Sequence, residues 1–154
     1  MLLLATAACS SPISSTAGSS VDAVADVDAA NAAALAVYVQ AEQATIPQIL
    51  GQYPDLYSEV TIDGAMKDQA GDRGLPAGTY AVVFYDYTYA SAVDWPTAID
   101  ALDGQRASFD SVCDSTVFPA MRQAGVTGPL SAVYSYTDGR SEFGPMWSHT
   151  CSDY

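Results

Sequence analysis

Apolar positions recur along the chain in two alternating periods. Between Val21 and Gly51 an Ala-rich stretch places Leu35, Val39, Ile46 and Ile49/Leu50 on one helical stripe, which predicts an amphipathic helix ended by Gly51 and kinked at Pro47. From Tyr57 to Gly64 the period drops to two, Val60 and Ile62 alternating with Glu59, Thr61 and Asp63, as in a half-buried strand. The stretch AMKDQAGDRGLPAG that follows is charged and Gly-rich and reads as a hairpin connection. In Gly78–Ala90 both alternating sets, Tyr80/Val82/Phe84 and Ala81/Val83/Tyr85/Tyr87/Tyr89, are apolar or aromatic, so the first half of this strand is expected to be covered on both faces. Asp94 ahead of Trp95 and Pro96 marks a second helix, with Ile99, Leu102, Arg106, Phe109, Cys113 and Val117 on one face. Gly104 weakens that helix, and Pro119 is expected to bend or end it near Thr116. Two last strands lie in PLSAVYSYTDGRSEFGPMWS, joined by a tight turn at Asp138-Gly139, with Pro145 confining the final strand to an edge.

The order αββαββ predicts an α+β fold, a four-stranded antiparallel sheet with two helices on one face. AVVFYDYT from Ala81 and AVYSYT from Ala132 echo each other, too briefly to establish a duplication.

At 154 residues the chain is long enough for one core, and its net charge of −13 repels phosphate backbones and anionic headgroups. Nucleic acid is therefore not an expected partner, and the acidic residues, scattered singly, read as a solvated surface. There is no run of apolar residues long enough to span a membrane. The start, MLLLATAACSS, instead has the order of a lipoprotein signal: an apolar segment, small residues Ala7 and Ala8, and Cys9 as the point of lipid attachment. It carries no Lys or Arg and Thr6 stands where Leu is usual, so the true start is expected upstream. The division is residues 1–9 as signal, 10–25 as a Ser-rich tether and 26–154 as a single domain, with membrane contact through the lipid alone. With Cys9 acylated, Cys113 and Cys151 remain, the even remainder that one disulfide leaves in an oxidising compartment, against the alternatives of two buried thiols or a metal site. Closing the loop between them would stabilise the fold by about 4 kcal/mol.

Catalytic chemistry finds few footholds. The one histidine is His149, no G-x-S-x-G elbow or S-x-x-K with a partner motif exists, and the pairs Asp100/Asp103 and Asp110/Asp114 more simply face water. Asp22, Asp26 and Asp28 lack the Gly and Glu of a calcium loop. No cofactor, metal or catalytic residue is assigned. Tyr85, Tyr87 and Tyr89 share one face of their strand, with Tyr134 and Tyr136 expected in the same sheet. Were that face open, the five rings would form a platform for sugars or a protein partner; covered, they would be a cross-strand ladder that stabilises the sheet.

A helix, the Tyr-rich strand VVFYDYTY, a helix with FDSV near its middle and then AVYSYTDGRSEF resembles a family of small Gram-positive surface lipoproteins, over roughly Asp55 to Trp147. The resemblance implies an anchored extracytoplasmic domain in a helix-hairpin-helix-hairpin layout and carries over no catalytic residue. The expected function is a non-enzymatic binding or interaction domain on the outer face of the cytoplasmic membrane, with a cell-envelope protein or glycan as partner. An envelope hydrolase using acidic groups and His149 predicts a pocket holding that histidine beside a carboxylate. An inhibitor of an extracellular hydrolase predicts Leu75 or Arg73 protruding from a rigid loop.

Overall fold

The computed structural model describes the backbone of residues 19–71, 75–142 and 144–153, with side chains from residue 26 onward. Cys9, most of the expected tether and Arg73 lie outside the described residues. The helix α1 runs Ser19–Gln43, so the last part of the stretch expected as a tether is helical. The chain turns at Ala44 and Thr45, and α2, Ile46–Gln52, restarts with Pro47 in its first turn, where a proline's missing N–H costs nothing. The kink expected at Pro47 is thus a break. On α1, Leu35, Tyr38 and Val39 are buried; the turn at Leu35 and Val39 is the predicted stripe, and Tyr38 joins it.

Strands β1 (Tyr57–Ala70) and β2 (Ala77–Tyr89) form a long antiparallel hairpin. The first strand does not stop at Gly64: Ala65 to Ala70 pair with Val82 to Ala77, so half of the expected loop is ladder. Gly64 interrupts the side-chain pattern there because α1 crosses above it; an added Cβ would lie 2.8 Å from Val39 Cγ2 and 3.0 Å from Leu35 Cγ. Tyr80, Ala81, Val82 and Val83 are all buried, in agreement with a strand covered on both faces in its first half.

The second helical block is one helix by periodicity and several segments in space. It comprises α3 (Trp95–Asp103), α4 (Arg106–Val112), a π turn (Cys113–Val117) and α5 (Phe118–Gln123). Gly104 and Gln105 divide α3 from α4. Pro119 does not end the helix near Thr116. The widened π turn, closed by the Phe118 N–H donating to the Cys113 carbonyl, carries the chain past a residue that has no N–H to give.

Strands β3 (Leu130–Thr137) and β4 (Trp147–Ser152) complete a sheet of order β1-β2-β3-β4. The sheet is mixed, not antiparallel throughout: β2 and β3 pair in parallel, while β1–β2 and β3–β4 are antiparallel. The helical block between β2 and β3 is the reason. A parallel neighbour needs a crossover of a dozen or more residues, usually helical, and the segment between Tyr89 and Leu130 supplies one. The echo between AVVFYDYT and AVYSYT is a register match across this pair, Tyr85 facing Tyr134, Tyr87 facing Tyr136 and Thr88 facing Thr137. It joins the second strand of one hairpin to the first of the other, which a duplicated hairpin would not do. After Asp138-Gly139 the chain runs on to Met146 before β4 begins, so the turn is wider than a two-residue hairpin and Pro145 lies ahead of an edge strand.

The helices lie over the sheet face that carries Val60, Ile62, Val83, Tyr85, Ala132 and Cys151. Leu102, Val117, Phe118 and Met121 close the core from the second helical block. Asn31 of α1 ties the two halves together, its Oδ1 accepting from the Thr127 N–H at 2.7 Å and from the Thr127 hydroxyl at 2.9 Å.

Candidate functional site

The five tyrosines proposed as a binding face lie on the helix-covered side of the sheet. Tyr85, Tyr134 and Tyr136 are buried, and Tyr87 and Tyr89 half-buried. Parallel, in-register strands set their side chains one strand spacing apart, and the rings stack accordingly: Tyr85 on Tyr134 at 4.9 Å and 10°, Tyr87 on Tyr136 at 5.0 Å and 12°. The Tyr38 and Tyr85 hydroxyls share a hydrogen bond of 2.5 Å beneath α1. Burial pushes the Tyr38 phenol up to about 12 and raises Tyr85 further. Burial also raises the Glu42 carboxyl, against a hydrogen bond from Tyr38 that lowers it. This is the covered cross-strand ladder, not an open platform. Its rings continue from Tyr57 through Tyr89 to Trp95 at the sheet's edge, 5.5 and 6.0 Å apart.

His149 sits on β4, 9% exposed, among aromatic rings. Its Nε2 is 2.7 Å from Asp110 Oδ1, so the carboxylate that the hydrolase reading asks for is present. Its Nδ1 is 3.0 Å from Arg106 Nη1. A guanidinium only donates, so Nδ1 accepts and Nε2 carries the proton that Asp110 receives. Both ring nitrogens are occupied. The network runs on: Arg106 bonds Asp103 and lies 5.0 Å over the Trp147 ring, and the Trp147 indole N–H donates to Asp103 at 2.8 Å. Hydrogen bonds from Trp147 and Arg106 hold the Asp103 carboxyl below the usual range. The adjacent groove, about 730 Å³, is lined by Asp110, Asp114, Arg122, Cys151 and Asp153 but not by His149. Arg122 and Asp153 pair across it, and Asp153 also receives the Leu130 N–H. Among the described residues no group of three His, Cys, Asp or Glu side chains is placed to hold a metal ion.

Cys113 and Cys151 meet at disulfide-bonding distance with Cα atoms 6.5 Å apart, joining the π turn to β4. Leu75, offered as a protruding inhibitor residue, is half-buried.

A concave site does form where β1 begins, β2 ends and α3 passes over them. Its volume is about 460 Å³. Leu56 and Asp55 come from the turn after α2, fixed by the Leu56 carbonyl accepting the Ala90 N–H at 2.9 Å. Tyr89 closes β2, and Ser91, Ala92 and Val93 lead out of it. On α3, Ala98, Ala101 and Leu102 recur at i, i+3 and i+4 and so face the site together, and Gln105, just beyond the end of α3, joins them. Two of the four are alanines, and their small size leaves the space unfilled. Leu56 is 44% exposed and Tyr53 beside it 51%, so the apolar surface extends out of the cleft. Of its residues only Tyr89 was expected from the sequence as a binding residue, while Leu102 was expected on the apolar face of its helix. The helical spacing of Ala98, Ala101 and Leu102 was there to read, but nothing in it says that Leu56 would lie opposite.

Among the described residues no helix is long and apolar enough to cross a membrane. No family model, curated protein or solved structure matches the chain.

Proposed function

We propose that the chain is a binding domain without catalytic activity, anchored through a lipidated Cys9 on the outer face of the cytoplasmic membrane, that takes a cell-envelope partner into the cleft between Leu56, Tyr89 and α3. The cleft carries this reading. Its volume falls in the range of ligand sites, its walls are mostly apolar, and a few polar groups at Asp55, Ser91 and Gln105 can orient what enters. The occupied nitrogens of His149 argue in the same direction, since a base engaged on both sides has no free lone pair to take a substrate proton. The Cys113–Cys151 pair supports export, because a crosslink of this kind persists in oxidising compartments. So does the likeness of the Tyr-rich strands to small Gram-positive lipoproteins.

The test uses the full chain in its native envelope. A photo-crosslinking residue replacing Ala101, on the exposed lip of the cleft, should capture an envelope component, while the same residue replacing Asp63, at a distant exposed position of β1, should not. Equal capture at both positions, or none, would overturn the binding reading. Intact mass of the mature chain should show a diacylglyceryl group on Cys9, and Cys9→Ser should release the protein from the membrane fraction. An unmodified terminus disproves the anchor.

A further inference from the structure

We infer that the partner segment received by this cleft is a basic peptide carrying an aliphatic side chain next to Lys or Arg. The inference rests on the binding reading above and adds the chemistry of the ligand. Three observations lead to it.

The first is the lining. Leu56, Ala92, Val93, Ala98, Ala101 and Leu102 offer alkyl groups rather than flat rings. The rings nearby already face one another: Tyr89 packs against Tyr57, Tyr136 and Trp95. A pyranose needs an open ring face and many polar contacts, and inside the cleft the one ring, Tyr89, is already packed against others while only Asp55, Ser91 and Gln105 are polar side chains. An aliphatic side chain needs only the apolar walls.

The second is the shape. Leu56, Ala92 and Ala101 are exposed, so the site is a trough and not an enclosed cavity. A free small molecule is held by burying most of its surface, which a trough cannot do. A polymer crossing it can place one side chain between Leu56 and Ala98 while its flanking residues cover Tyr53.

The third is charge. Asp55 lines the cleft, and the elements that build it also carry Glu59, Asp94 and Asp100, all exposed. The chain has only five Lys and Arg, of which Arg73 lies outside the described residues. Arg106 is committed to Asp103, His149 and Trp147, Arg122 to Asp153, and Arg140 stands beside Asp138. Lys67 lies at the far end of β1, opposite Tyr80. The net −13 sets this field over the whole molecule, and it equally disfavours a second copy of the chain as occupant.

The experiment measures fluorescence anisotropy of a labelled heptapeptide of alternating Lys and Leu against the full chain, with Lys→Glu and Leu→Ser versions of the peptide alongside. The Lys/Leu peptide should bind at least about tenfold more tightly than either version, and added salt should weaken it. Leu56→Ser and Ala101→Trp, both at exposed positions, should each weaken binding by about tenfold, the second by filling the trough. Asp55→Asn should weaken it by about threefold, whereas Asp63→Asn, the same charge change on another part of the surface, should leave it unchanged. Equal losses from Asp55→Asn and Asp63→Asn, with none from Ala101→Trp, would mean attraction to the overall charge and would overturn the inference. So would tighter binding of the Glu peptide, or of a neutral glycan oligosaccharide run as a further arm. Site-specific crosslinking at Ala101 to an acidic or uncharged partner would remove the charge inference while leaving the binding reading intact, so the two failures are distinguishable.

Discussion

Alkaline pH should unfold this domain in one narrow step instead of titrating its phenols one by one. Tyr38, Tyr85, Tyr134 and Tyr136 are between 4% and 7% exposed. Burial pushes Tyr38 up to about 12 and raises the other three above it, because a phenolate beneath the helices would lose its hydration without a cation to replace it. In the unfolded chain the same four groups ionise near the ordinary value of about 10. Above that pH the unfolded state therefore binds fewer protons than the folded one, and stability falls as pH rises; below it both states are protonated and the contribution is complete. Each neutral phenol then costs about 1.4 kcal/mol of stability per pH unit, so the four together remove roughly 6 kcal/mol by pH 11. That loss is comparable to the whole stability of a small domain. Tyrosinate absorbance and far-ultraviolet circular dichroism, followed in parallel, should change together between about pH 10 and 12. Tyr134→Phe, which removes one of the four, should move the step to higher pH. Complete titration of all 10 tyrosines near the ordinary value with the dichroism unchanged would refute the argument.

Other perturbations test other joints of the fold. Gly64→Val puts atoms where Val39 and Leu35 already stand and should lower stability by about 1–3 kcal/mol in urea denaturation; an unchanged midpoint would mean that α1 does not pack closely there. Reducing the Cys113–Cys151 pair, separated by 38 positions, should cost about 4 kcal/mol by the same measurement, and indifference to reductant would refute the crosslink. Asn31→Ala leaves the Thr127 amide without its acceptor, which should cost about 1–3 kcal/mol and accelerate exchange of that amide. Nitrogen chemical shifts of His149 should report a neutral ring protonated at Nε2; a proton on Nδ1 would break the assigned chain from Arg106 to Asp110.

What the sequence made legible was periodicity, and periodicity concerns faces. The double apolar alternation of Tyr80 to Tyr85 announced a strand covered on both sides, and Leu35 and Val39 announced the stripe of α1. The pairing of Cys113 with Cys151 followed from counting cysteines once one was assigned to lipid. Periodicity carries no record of which way a neighbouring strand runs. The parallel pair at the centre is set by the length of the connection between Tyr89 and Leu130, and that signal was present but outweighed by the hairpin turns on either side. Two local rules also yielded to packing. Lys67 and Asp68 look like loop residues until Tyr80 and Thr79 pair with them, and Pro119 looks like a stop until a π turn absorbs it.

The in-register pairing of β2 with β3 also decides which aromatic rings the helices cover. Once Tyr85 stacks on Tyr134 and Tyr87 on Tyr136, α1 and α4 can close over the ladder only by removing those rings from water. The aromatic content that suggests a recognition face is thereby the core of the domain. The ladder runs out at Tyr89, the last residue of β2 and the first wall of the cleft. Past Tyr89 the sheet has no partner for α3 to cover, and α3 presents Ala98 and Ala101 where larger residues would have sealed the gap. The cleft that results is bounded by the Tyr89 ring, which is held in turn by its packing against Tyr57, Tyr136 and Trp95.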